Sequence, residues 1–271
     1  MLDSWWLKFK RAQQHLVDLR RMARLYAASN PYKVVRVRKS KRQDKTWQYR
    51  LVMDPPDPMF AMVIGDFVHN LRSALDHVVV ACVPPRYRKS ASWPVLHEDI
   101  LARNPDGTFV HPDSQRRREL LKVIGGLSDD AFTFVIAMQP HRRSQPESDA
   151  LGLLSRLENA DKHRNLLAVG AGLENPVVKW MLSGEPFSVD RAPPGAFLKN
   201  NAILSHSAPP GYLDYIELKM DAEGTAAVHI QVTMLDRPDN VFTIALRPTL
   251  LAMLVHIRLI LRGMERFAIR A

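Results

Sequence analysis

Cysteine is nearly absent from this chain: Cys82 stands alone among 271 residues. No internal disulfide can form, and a Cys-rich zinc site is excluded. Long apolar runs are missing as well. The longest, Leu250 to Leu261, is too short to span a bilayer and contains His256 and Arg258. The opening Met-Leu-Asp-Ser-Trp-Trp has an acid where a signal peptide needs positive charge, and no small-residue cleavage site follows. These absences predict a cytoplasmic protein with no membrane partner. Acidic residues are scarce in one place. Residues 1–50 hold fourteen Lys/Arg against three Asp/Glu, a net +11, so the other 221 residues sum to −1 of the overall +10. A local patch sets the field that a polyanion meets; nucleic acid is the leading candidate, with an anionic membrane surface or an acidic protein behind it.

What is present reads as α+β. Helices are expected over 2–28, 58–83, 113–124, 129–139, 149–168 and 248–269, from apolar periodicity and from stops such as Asn30-Pro31 and Pro84-Pro85. Lys33–Lys39 and Thr46–Met53 read as a basic hairpin, with Trp47, Tyr49, Leu51 and Met53 alternating against polar neighbours. After Gly170 the texture turns strand-like over Val177–Leu182, Phe197–His206, Tyr212–Met220, Thr225–Leu235 and Val241–Leu246, with a hairpin turn expected at Asp221–Gly224. The expected arrangement is one domain. A bundle of about four long helices (1–175 and 248–271) carries the hairpin 33–53, and a β-rich antiparallel insertion, 176–247, precedes the last helix. Strands do not alternate with helices, so a Rossmann-type nucleotide fold is not expected. Residues 84–112, polar and proline-containing, read as a functional loop or a mobile segment.

The chemistry concentrates in helix 58–83. At about 100° per residue, Arg72, Asp76, His69, Ser73, Asp66, His77 and Asn70 fall within one arc of roughly 160°. That arc holds no Lys, Glu or Gln, the long residues that usually cover a solvent-facing helix. Short hydrogen-bonding groups, two imidazoles, two carboxylates and a guanidinium suit a crowded pocket or interface. A second polar stretch, Arg156-Leu-Glu-Asn-Ala-Asp-Lys-His-Arg164, lies in helix 149–168. Burying such groups without partners is costly, so the two faces are expected to meet. Asp76 or His77 would then lie within reach of Asn159 or His163.

Arg72-Ser-Ala-Leu-Asp-His77, an Arg and a His with four residues between them on a bundle helix, resembles the motif of the HEPN superfamily (higher eukaryotes and prokaryotes nucleotide-binding). Arg156 and His163, with six residues between them, resemble it too. Ser73 and Leu157 depart from the Asn, Asp or His that often follows the motif Arg. The resemblance implies a helical-bundle protein acting on RNA, a symmetric homodimer, and metal-independent endoribonuclease activity of toxin or defence type. It implies Arg72, His77, His163, Arg156 and Asp76 as catalytic residues. Asp66, His69, Asn70, Ser73, Asn159 and Asp161 would support them, with no cofactor and no resident metal. The residue types fit that chemistry. Histidine exchanges protons near neutral pH, and arginine clamps phosphate oxygens through two hydrogen bonds. A four-residue gap sets Arg72 and His77 about 140° apart around the helix.

Three other readings stand beside it. The polar arc can be a buried Arg–Asp–His network that only fixes helix packing. The protein can then be a non-catalytic nucleic-acid-binding or interaction protein. A metal-binding bundle hydrolase can draw on Asp66, His69 and His77 with Asp161 or His163, although the Glu-x-x-His signature is missing. For nucleic-acid contact the hairpin offers Arg36, Arg38 and Arg50, expected on one side, with Trp47 and Tyr49 on the other.

Overall fold

The structure, a computed structural model, describes residues 3–37, 46–110, 114–163, 168–182, 185–191, 197–207, 218–233 and 241–269. Among them are six α-helices and two antiparallel sheets, so the chain is α+β. It divides into two compact units. The first comprises Met1–Leu19, Ala61–Leu167 and Arg247–Ala271, and the second Arg20–Phe60 and Ala168–Leu246.

The first unit is helical. It holds the start of α1 (Ser4–Ala28), most of α2 (Met59–Cys82), then α3 (Ser114–Ile124), α4 (Asp129–Ala137), α5 (Ala150–His163) and nearly all of α6 (Leu246–Glu265). α2 is helical because its apolar residues recur on one face, and Ile64, Phe67, Leu71, Ala74, Leu75 and Val78 are fully buried. Leu151, Leu154 and Leu157 of α5 and Leu250, Met253, Ile257 and Ile260 of α6 are buried likewise. The Cys82 thiol donates to the Met264 carbonyl at 3.6 Å, and the Ile269 N–H to the Ala81 carbonyl at 2.9 Å, joining the C-terminal ends of α2 and α6. The Trp6 indole reaches Glu265 at 3.4 Å. The Ser128 side chain caps α4 by accepting from the Ala131 N–H, and Asp129 and Asp130 sit favourably in its first turn.

The second unit is built on strands. β1 (Tyr32–Arg36), β2 (Thr46–Met53) and β6 (Ile203–Ser207) form one sheet in that order. The other runs β4 (Glu185–Arg191), β3 (Ala168–Leu182), β7 (Leu218–Thr233) and β8 (Val241–Ala245), with β5 (Phe197–Lys199) also pairing β3. Tyr49, Leu51 and Met53 share a core with Ala171, Leu173 and Val178, onto which Tyr26, Tyr32, Val34, Leu198 and Leu204 pack. The alternation read in Thr46–Met53 is therefore real burial: Tyr49, Leu51 and Met53 inside, Gln48 and Arg50 outside. An isolated two-stranded hairpin is marginal in water, and β6 supplies the third strand. This pairing groups the hairpin with the β-rich segment rather than with the helices.

Several expected elements change shape. Asp221–Gly224 is not a turn, because β7 runs straight through it. Glu174 pairs with Thr225 and Val177 with Glu223, so Asn175 and Pro176 together oppose Gly224. This is a β-bulge in β3, with Asn175 at φ 49°, and the glycine lies opposite the extra residue. The bulge also explains a proline inside a strand. β4, rich in polar residues, has no counterpart among the expected strands. The expected strand 197–206 is broken into β5 and β6, with Asn201 at φ 64° between them. α5 is described as far as His163, Ala168 already belongs to β3, and α6 begins two residues before Pro248, which the first helical turn tolerates. Arg38 and residues 212–217 lie outside the described residues.

Candidate functional site

α2 positions the site by its periodicity. Arg72 and Asp76, one turn apart, lie on the edge of the polar arc that faces Trp93 in the connection after the helix. The Arg72 Nη2 donates to the Trp93 carbonyl at 2.6 Å, and Asp76 Oδ1 accepts from the Trp93 N–H at 2.9 Å. Both main-chain polar groups of a fully buried tryptophan are thus held by one helix. The guanidinium also lies 3.3 Å from Asp76 Oδ1, and its Nε lies 3.6 Å from Glu158 Oε2 on α5. Arg72–Glu158 is therefore a contact between the two polar faces.

The connection 84–112 is firmly stitched along this stretch. The Ser90 hydroxyl donates to the Lys122 carbonyl, and the Leu96 N–H to the Oε1 of fully buried Gln139, whose amide donates in turn to Val135. His141 Nδ1 meets the Leu96 carbonyl at 3.1 Å. A Cβ on Gly126, after α3, would come within 2.8 Å of Tyr87 Cβ, so this glycine permits the close approach of α3 to the connection. Between connection, α2, α3 and α5 lies a cavity of about 650 Å³. Arg72, Asp76, Glu158 and Asn159 line it together with Ser92, His97, Arg116, Glu119 and Ser155. The rim carries an exposed pair, Arg116 Nη1 to Glu98 Oε2 at 3.3 Å.

His97 is the cavity residue that sequence reasoning passed over. Its pKa is lowered from 6.5 chiefly by burial and then by Arg156, with Asp149 and Glu98 opposing. It is therefore neutral near pH 7 and can accept a proton. Its ring lies beside α5, where a Cβ on Gly152 would come within 3.4 Å of it. Arg156 is thus placed within electrostatic reach of His97.

The other expected residues are spread apart. His77, at the opposite edge of the arc, does not line the cavity with Arg72, in keeping with the 140° between them. Asp66 and His69 are exposed. The Asn70 amide donates to the Asp66 carbonyl at 2.7 Å, and Ser73 Oγ lies 3.5 Å from His69 Nε2. Asp161 and His163 belong to the last turn of α5, but their side chains lie outside the described residues, as does that of Trp47. Among the described residues no group of three or more His, Cys, Asp or Glu is arranged to hold a metal ion.

The hairpin cations need a correction. Arg36 pairs in register with Tyr49, and Arg50 with Val35. Directly opposed residues share a face, so Arg36 and Arg50 lie on opposite faces of the sheet and not on one side. Both are exposed. Glu158 and Trp93 carried weak signals, one inside the polar stretch of α5 and the other beside Pro94 in a connection without periodicity. No protein-family model, curated protein or solved structure matches this chain.

Proposed function

We propose that this protein binds RNA as a polyanion, through cations in its first fifty residues, and that the Arg72 network is scaffolding. The observation that carries the reading is where those cations stand. Lys10, Arg11, Arg21 and Arg24 of α1, Lys33 and Arg36 of β1 and Arg50 of β2 are all exposed, while the chain beyond residue 50 has no net positive charge. Arg72, in contrast, is engaged by Asp76, Glu158 and the Trp93 carbonyl. A guanidinium so occupied supports the packing role better than the phosphate clamp.

A second reading is metal-independent cleavage of HEPN type, on a bundle formed by the four long helices, with a symmetric second copy completing the site. The observation favouring it is the cavity that Arg72, Asp76 and Asn159 share with neutral His97. There His97, beside Arg156, would take the proton that the family motif assigns to His77.

One assay addresses both. Labelled single-stranded RNA is titrated with protein in excess EDTA over a salt series. Binding should weaken as salt rises, and Arg36→Ser/Arg50→Ser should lower both affinity and the salt slope, by about 0.7 for each phosphate no longer neutralised. Unchanged affinity and slope in that variant would remove the hairpin from the reading. RNA recovered intact supports binding alone. Products ending in a cyclic phosphate, lost in His97→Ala or His77→Ala, would establish cleavage and identify the histidine.

A further inference from the structure

The outer face of α6 carries a different signal from the rest of the first unit. Its inner face is fully spent, with Leu250, Met253, Ile257, Ile260, Leu261 and Met264 buried over an arc of about 100°. On the opposite side Leu251, Val255 and Leu259 stand 39%, 52% and 61% exposed. Their spacing of four residues makes one continuous ridge along the helix, the row by which helices commonly interlock. Arg258 and Arg262 flank that ridge, and Arg247 begins it; all three are exposed. Neither Arg258 nor Arg262 takes part in an ion pair among the described residues. No acidic residue occurs anywhere from Leu246 to Met264.

We infer that this ridge docks an acidic amphipathic helix of another protein, with Leu251, Val255 and Leu259 packing against an apolar stripe and Arg258 and Arg262 pairing with flanking carboxylates. Charge complementarity selects this occupant. A second copy of the same face would set arginine against arginine in an isologous contact, which costs rather than contributes. A membrane surface is the poorer fit, because interfacial binding scales with the apolar area buried, and this face offers three aliphatic side chains with no Trp or Phe. Arginine matches carboxylates bidentately, and three aliphatic anchors at helical spacing are what a helix-in-groove partner reads.

The test uses the full chain and a labelled peptide of roughly three heptads with Leu at a and d and Glu at e and g. Saturable binding by fluorescence anisotropy is expected. It should fall at least about tenfold in Leu259→Ser and in Arg258→Glu/Arg262→Glu, and the latter variant should instead take the peptide with Lys in place of Glu. These substitutions are on exposed positions, and unchanged melting temperatures will show that the fold persists. A peptide with the same Glu but Ser in place of Leu should bind at least about tenfold more weakly. The proposal is overturned if the Leu and Ser peptides bind alike. It is equally overturned if the chain prefers anionic phosphatidylglycerol vesicles to the peptide, or if it dimerises in sedimentation through a contact that Leu259→Ser abolishes.

Discussion

Arg72 is surrounded by two carboxylates and a carbonyl, and its side chain is only 18% exposed, against 10% for Glu158. Removing the cation takes a countercharge from Glu158 in a poorly hydrated place and frees the Trp93 carbonyl. Arg72→Met should therefore cost about 3 kcal/mol in urea unfolding, far more than an exposed pair is worth. Arg72→Met/Glu158→Met should recover part of that loss, because the two residues share one interaction. A residue held ready for phosphate would behave otherwise, with stability unchanged and only activity lost. The arc on α2 was readable because seven short polar residues at helical spacing have a single geometric solution. Glu158 was not, because its importance comes from which helix faces which, and no local pattern encodes that. His97 was hidden for a similar reason: its surroundings are assembled from Arg156, Asp149 and Glu98, of which only Glu98 is its neighbour in sequence.

Between elements, the junction of α6 with the start of α5 is sensitive to acid. Asp149 Oδ1 accepts from the Leu151 N–H at 2.9 Å and the Gly152 N–H at 3.3 Å, capping α5, and Arg143 Nε lies 3.9 Å from its Oδ2. His256 of α6 senses the same two charges. Its pKa is lowered from 6.5 by burial first, with Asp149 raising it and Arg143 lowering it. Its buried Nε2 has no hydrogen-bond partner among the described residues. Below the unfolded value the unfolded chain takes up a proton that the folded chain resists, so stability falls as pH drops through 6.5 and is unaffected above it. His256→Leu should flatten this limb of a melting-temperature profile between about pH 7 and 5. His15 and His97, also lowered, should leave a residual slope. An identical slope in the variant would mean that His256 protonates freely in the folded state. At this scale the helices were legible, since long apolar periodicity is hard to mistake. The strands were legible in part. The Asp221–Gly224 segment has turn composition, and only the bulge across from it explains why it stays extended.

For the molecule as a whole, the uneven charge matters more than its total. Among the described residues no helix is long and apolar enough to cross a membrane. The net cationic excess belongs to the first fifty residues, but exposed cations occur elsewhere too, such as Lys89, Arg118 and Lys122. Two triple reversals separate location from total charge. Arg24→Glu/Lys33→Glu/Arg50→Glu and Lys89→Glu/Arg118→Glu/Lys122→Glu each lower the formal net charge from +10 to +4. If RNA responds only to net charge, both proteins should lose affinity equally and show parallel salt dependence. If the first fifty residues hold the phosphates, the first reversal should flatten the slope of log affinity against log salt by about 2, since three phosphates go unneutralised at about 0.7 each. The second should shift affinity slightly and leave the slope intact, since charges beyond a Debye length of about 8 Å are largely screened at physiological salt. Equal slopes in the two variants would return the basic N-terminal fifth to an ordinary solvated surface.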